Sequence, residues 1–260
     1  MKKTYPSDLT DNQWDHLKEF FPVPQRTGRP RKNEVRRVVN AILYLTKTGV
    51  PWRYLPQEYP PWRSVYGDFS QWRTDGRWQR RHDALRTQVR TKNGRHKHAT
   101  AGCIDSQSIK TTAVAGLRGF DGGKLINGRK RHILVDTLGL LILVIVTAAS
   151  VQDRDGAKLL CQKLRGSGKK LRRIWVDGAY RGELLDWVKA NFRFVFSVVL
   201  RPEQQKGFVV LPRRWVVERT FAWLNNYRRL AKDYERLPAT SEAFIYIAMS
   251  RLMLLRLRSS

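Results

Sequence analysis

The chain has 260 residues, 42% of them hydrophobic, enough for one large domain or for a small module joined to a medium one. Lys and Arg number 50 against 22 Asp and Glu, a formal charge of +28 distributed along both halves of the chain, which suits a partner with extended negative charge such as DNA or RNA. Two cysteines, Cys103 and Cys161, are too few for a disulfide framework or a thiolate metal site, no apolar stretch follows the start as in a signal peptide, and the longest apolar run, Leu138 to Ala149, is shorter than the about 20 residues that span a bilayer.

Ser7 and Thr10 stand as possible N-caps before Trp14, Leu17, Phe20 and Phe21 at helical spacing, with Pro22 closing a first short helix. The loop Thr27 to Lys32 is basic; its Arg29 and Arg31 form either an arm on phosphates or in a minor groove, or a plain linker. Asn33 then caps an apolar stripe of Val35, Val38, Val39, Ile42, Leu43 and Leu45, ended by Gly49. Pro51 to Pro56 and Pro61 onward each place Pro in a first turn and Trp behind it, predicting two helices separated by a short turn. That arrangement is a helix-turn-helix, with a recognition helix over Pro61 to Asp75. Arg53, Arg63, Ser64, Tyr66 and Arg73 lie where they can reach base edges or phosphates. The alternative is a three-helix structural cap whose tryptophans are core. An arginine-rich helix follows to the flexible Asn93-Gly94, where the boundary falls: residues 1–95 an all-α helix-turn-helix domain, residues 96–260 a second domain.

From Ala101 the pattern changes to strands. Gly102 to Asp105 opens one, Arg131 to Asp136 a second and Leu140 to Ala149 a third, with a hairpin at Thr137-Leu138-Gly139. A helix through Leu164, a strand over Arg173 to Val176, a helix over Gly182 to Ala190, a strand over Phe192 to Leu200 and a final pair of helices complete the order. An α/β fold of the ribonuclease-H-like kind, a mixed five-stranded sheet with flanking helices, matches it. Asp105 ends the first strand, Asp177 follows the fourth, and Glu218 lies near the start of a helix. Three hard oxygen ligands of this type suit Mg²⁺ or Mn²⁺, and a pair of such ions about 3.5–4 Å apart supports in-line displacement at phosphorus.

Other residues have more ordinary readings. Asp136 is a hairpin-turn residue, Asp153 and Asp155 sit at a helix N-terminus, and His132, Trp215 and Trp223 are packing residues. Tyr180 is core or a phosphate contact, and His96 and His98 are loop residues. The basic run of Lys124, Arg129, Lys130 and Arg131 either seats a DNA strand or is a solvated charge cluster. Arg214 and Arg219 bracket Glu218, with Arg214 four residues before it, placed to neutralise Glu218 or to clamp a phosphate.

Several stretches together carry a family resemblance. Gly102-Cys103-Ile104-Asp105-Ser106-Gln107-Ser108, Gly128 to Gly139, Asp177-Gly178-Ala179-Tyr180 and Arg213-Arg214-Trp215-Val216-Val217-Glu218-Arg219 resemble the motifs of bacterial DDE transposases, insertion-sequence-five type within the insertion-sequence-four superfamily. Tyr5 to Thr10 and Gly49 to Pro56 resemble that family's N-terminal module. The resemblance implies Asp105, Asp177 and Glu218 as catalytic and metal-binding residues and Mg²⁺ as cofactor, with Mn²⁺ substituting. It implies cleavage at the terminal inverted repeats of an insertion sequence, strand transfer into target DNA, and assembly on the ends as a homodimer or larger. A cytoplasmic, nucleoid-associated protein without membrane contact follows. In the wider pattern Tyr-x2-Arg-x3-Glu-x6-Lys, Arg214 fills the Arg place, while Leu211 and Asn225 replace Tyr and Lys. A transposase-derived DNA-binding protein without cleavage, and a metal-dependent nuclease without strand transfer, are the alternatives.

Overall fold

Thr10 closes a capping box with Gln13 to start α1 (Asp11–Asp15), the first element of a computed structural model that describes residues 4–21, 32–114, 116–165, 170–200 and 213–257. The chain divides into two compact units: residues 1–94 with 226–231 and 243–260, and residues 95–225 with 232–242. The stretches 226–231 and 243–260, expected in the second domain, therefore belong to the first unit. Among the described residues no helix is long and apolar enough to cross a membrane.

The first unit is helical. α2 (Val35–Thr48) buries Val38, Val39, Ile42 and Leu45 and stops at Gly49, whose φ of +76° is left-handed and whose missing Cβ admits the backbone at Arg228 and Arg229. Its N-cap is Glu34, without a side-chain cap bond, rather than Asn33. The expected helix at Pro51 to Pro56 is only a 3₁₀ turn over Trp52–Tyr54. Pro56 has no N–H to continue the ladder, and Leu55 before it is forced extended at ψ 127°. The helix-turn-helix thus lacks its first helix at that place. α3 (Trp62–Thr74) and α4 (Arg77–Lys92) follow, and α8 (Pro238–Arg256) supplies the rest of the core from Ala243 onward. Phe69 of α3 stacks on Phe244 of α8 at 4.9 Å. Arg81 of α4 is 2% exposed and faces the rings of Phe21, Trp72 and Trp78, and none of its guanidinium nitrogens has a hydrogen-bond partner among the described residues.

The second unit is a mixed sheet with helices against it. Its strands are β1 (Ala101–Lys110), β2 (Gly119–Asp121), β3 (Ile126–Asp136), β4 (Leu141–Ala148), β5 (Arg173–Val176) and β6 (Val195–Val198). The sheet has six strands in the order β2-β3-β1-β5-β6, with β4 also paired to β3, against the five expected. The extra β2 is three residues long and carries no alternation to read. β3 runs antiparallel to β1, β2 and β4, while β5 pairs in parallel with both β1 and β6. Asp136 accepts from the Leu138 and Leu140 amides at 2.8 and 2.9 Å and shapes the β3–β4 hairpin. On one face Ile104, Leu134, Ile174 and Val176 pack with Leu160 of α5 (Asp153–Leu164) and with Leu184 and Val188 of α6 (Glu183–Asn191). α7 (Trp215–Asn225) packs against β1 and β3.

Candidate active site

Parallel pairing of β1 with β5 sets Cys103 opposite Trp175. Two residues further along each strand direction stand Asp105 and Asp177. Side chains repeat every second residue in a strand, so the two aspartates share a face of the sheet and come from neighbouring strands, which lie about 4.8 Å apart. Asp105 lies within β1 and not at its end, because the strand continues to Lys110. Asp177 caps a single 3₁₀ turn, accepting from the Ala179 amide at 2.9 Å.

The two carboxylates converge on one guanidinium. Arg214 Nη2 lies 3.0 Å from Asp105 Oδ2 and 3.4 Å from Asp177 Oδ2, and Arg214 is only 6% exposed. Asp105 Oδ1 accepts the Ser106 amide at 2.7 Å. Burial pushes the Asp105 carboxyl up to about 6 in spite of Arg214, which pulls the other way. Beneath the pair, Tyr180 is fully buried, its hydroxyl without a partner among the described residues, and burial raises it well above its ordinary value. Cys103 is core: burial pushes its thiol up to about 12, and it donates to the Arg213 carbonyl at 3.0 Å.

Glu218 does not join this pair. It is exposed in the first turn of α7, and among the described residues no three His, Cys, Asp or Glu side chains gather closely enough to hold a metal ion. Two of the three expected ligands are brought together, and the third stands apart. Arg214 does not neutralise Glu218 across a helical turn; it precedes the first helical residue, Trp215, and turns to the aspartates instead.

Burial also corrects the basic run. Arg129, Lys130 and Arg131 are 1%, 6% and 0% exposed, because β3 is covered on both faces, so they present no charge to a nucleic acid. Arg129 donates to the carbonyls of Leu117 and Arg236 and to Asp233 and Ser241. Lys130 lies between Asp121 and Asp153, at 3.2 and 3.1 Å, and Asp153 also accepts from Ser106 Oγ at 2.7 Å. Asp153 is thus engaged within the fold. Lys124 remains exposed in the β2–β3 turn, and its charge lowers the Asp105 carboxyl. Arg219 is half-buried between the Trp215 and Trp223 rings and donates to the Leu138 carbonyl.

In the first unit Arg53, Arg63, Ser64 and Tyr66 are exposed and Arg73 is half-buried. Arg53 and Arg63 both lie over the Trp62 ring, at 5.7 and 5.6 Å from its centre, an exposed cation–aromatic cluster that the charge pattern alone did not reveal. Arg29 and Arg31 lie outside the described residues.

Residues 96–253 match the profile of the family described as "Transposase DDE domain". The chain belongs to that family. Residues 9–82 match a second profile, "Putative transposase of IS4/5 family". A curated relative from Burkholderia cepacia, "Putative transposase for insertion sequence element IS402", is 32% identical over 125 residues, a stretch covering 45% of this chain and 59% of that protein. Asp105 and Asp177, expected from the sequence as the first two acids of a DDE set, are the two that the sheet register sets side by side.

Proposed function

We propose that the chain is a transposase that binds the terminal inverted repeats of an insertion sequence, cuts DNA there and joins the ends to target DNA. The observation that carries the reading is the convergence of Asp105 and Asp177 on a single positive charge within a DDE-family chain. Two hard carboxylate oxygens directed at one cationic centre fit a divalent ion such as Mg²⁺ or Mn²⁺, and Asp105 and Asp177 are the residues that would hold it. Glu218, exposed on α7, would complete the set from the adjoining helix. A bound ion supplies charge neutralisation and a polarised oxygen for displacement at phosphorus.

The chain's own residues carry the remaining tasks. Asp177 is fixed by its cap bond to Ala179, and Asp105 by its place within a paired strand, so both are preorganised. Lys124 offers an exposed cation for a phosphate near Asp105. Arg53, Arg63, Ser64 and Tyr66 offer base and phosphate contacts in the helical unit, and a dimer assembled on two ends would bring the element's termini together, in the cytoplasm at the nucleoid.

Purified protein incubated with end-containing DNA and Mg²⁺ tests the reading: joined products are expected, and Asp105→Ala should abolish them while end binding persists. The exposed position of Glu218 favours a second reading, a DNA-binding protein that does not cut. Binding without any product, at any divalent ion, would select it.

A further inference from the structure

The Asp105 and Asp177 oxygens nearest each other's shared partner are the oxygens a divalent ion would need, and Arg214 Nη2 already holds both. Three features set this arginine apart from a plain structural one. Its Nε is buried with no hydrogen-bond partner among the described residues, so the guanidinium is only partly satisfied where it sits. Arg213 before it has a φ of +71°, a left-handed backbone that residues other than glycine adopt under strain. Arg214 also lies ahead of the first helical residue of α7, outside the regular ladder that would fix its backbone. A side chain so placed has a partner of opposite charge but incomplete bonding and a strained support.

We propose that Arg214 is a resident counter-ion that competes with the divalent metal for Asp105 and Asp177, and that DNA relieves the competition by offering the guanidinium a phosphate. The inference rests on the metal-dependent reading of the site given above. Two aspartates side by side repel, and Arg214 keeps them gathered while lowering their availability to a second cation. A phosphate diester accepts the same planar fork of N–H donors that a carboxylate does, so bound DNA draws Arg214 away from the acids. Metal and DNA then favour each other's binding, each by the same factor. Metal loading becomes tied to the arrival of the substrate.

The test is Mn²⁺ binding to the full chain, measured by the electron paramagnetic resonance of free Mn²⁺, for the wild type, Arg214→Gln, Arg214→Lys and Lys124→Gln. Lys124→Gln controls for charge acting through space, because Lys124 affects Asp105 without being bonded to it. Without DNA, Arg214→Gln should bind Mn²⁺ about tenfold more tightly than the wild type, Lys124→Gln should move much less, and Arg214→Lys should fall between. Adding a mixed-sequence DNA duplex should tighten Mn²⁺ binding to the wild type and leave Arg214→Gln little changed. The rise in melting temperature on adding Mn²⁺ gives a second readout, and a melting transition for each variant without metal establishes that it is folded. Equal Mn²⁺ affinity in wild type and Arg214→Gln, or a weaker one in the variant, overturns the competition and leaves the metal site standing. A shift in Lys124→Gln as large as in Arg214→Gln also overturns it. Tightening by duplex that is the same in both proteins overturns the role of the phosphate. Absence of Mn²⁺ binding in every protein removes the metal reading itself, and the inference with it.

Discussion

Replacing Arg129 with Leu separates two views of the basic run, because a DNA contact and a buried hub fail in different assays. The Arg129 guanidinium donates to Leu117 O at 2.8 Å, to Asp233 Oδ1 at 3.1 Å, to Ser241 Oγ at 3.2 Å and to Arg236 O at 2.7 Å. Asp233 keeps Ser241 Oγ and the Glu235 amide in the variant, yet its carboxylate, 1% exposed, loses the guanidinium paired with it and keeps only the more distant charge of Arg131. Removing one member of a buried ion pair costs about 3–5 kcal/mol. The two carbonyls that lose a donor are only partly buried, so water replaces much of that loss and about 4 kcal/mol is the net expectation. A loss of that size in a unit of this length lowers the melting temperature by about 10 °C. Urea unfolding followed by circular dichroism measures it, beside a gel-shift titration with DNA at a temperature where the variant is folded. Pairing Arg129→Leu with Asp233→Leu should recover part of the loss, since the buried carboxylate is then no longer left without its paired cation. Wild-type unfolding together with weakened DNA binding in Arg129→Leu would refute the hub and restore the surface role.

Gly156→Ala should destabilise the second unit by about 1–3 kcal/mol in the same unfolding assay, because the new Cβ would overlap the buried His132 ring; a stabilised variant, as helix propensity alone predicts, would show that the ring gives way. His132 itself is held down to about 4 by burial, against an ordinary 6.5, so it stays neutral in the fold. The unfolded chain takes up this proton as pH falls below 6.5, so stability from this group is intact above that pH. It declines by about 3 kcal/mol as pH approaches 4. Unfolding curves at pH 7.5 and 4.5 for wild type and His132→Gln test it, and an identical pH dependence in both would exclude His132 as the cause. Arg63→Ala should weaken binding to the element's own ends by about 1–3 kcal/mol and to mixed-sequence DNA by less; equal losses on both would confine Arg63 to phosphates.

The aspartate pair was legible because an apolar run leading into Asp is a local pattern, and two such runs paired in parallel bring the two acids to one level, although β1 continues past Asp105. The partner of Arg214 was not. Spacing of four residues pairs side chains only inside a helix, and Arg214 stands just outside one, so its neighbours come from β1 and from the turn after β5, at Asp105 and Asp177, more than a hundred and some forty positions away. Charge misled at Arg129, Lys130 and Arg131 for a related reason. A run of cations reads as surface, and only the fold reveals that Asp233, Asp121 and Asp153 lie beneath them. At Pro51 to Pro56 the proline at the front invited a helix, while the proline at the back, which limits it to one turn, carried the greater weight.

The helical unit draws Phe244, Ile247 and Met253 from α8 into the same core as residues from α2, α3 and α4. During synthesis, then, the segment made first must wait with its apolar faces uncovered until α8 has left the ribosome, while the sheet that lies between them in the chain has already been made. Protein broken off before α8 would leave Phe69 without Phe244, and such fragments are expected to be degraded or to aggregate rather than occupy DNA as inactive competitors.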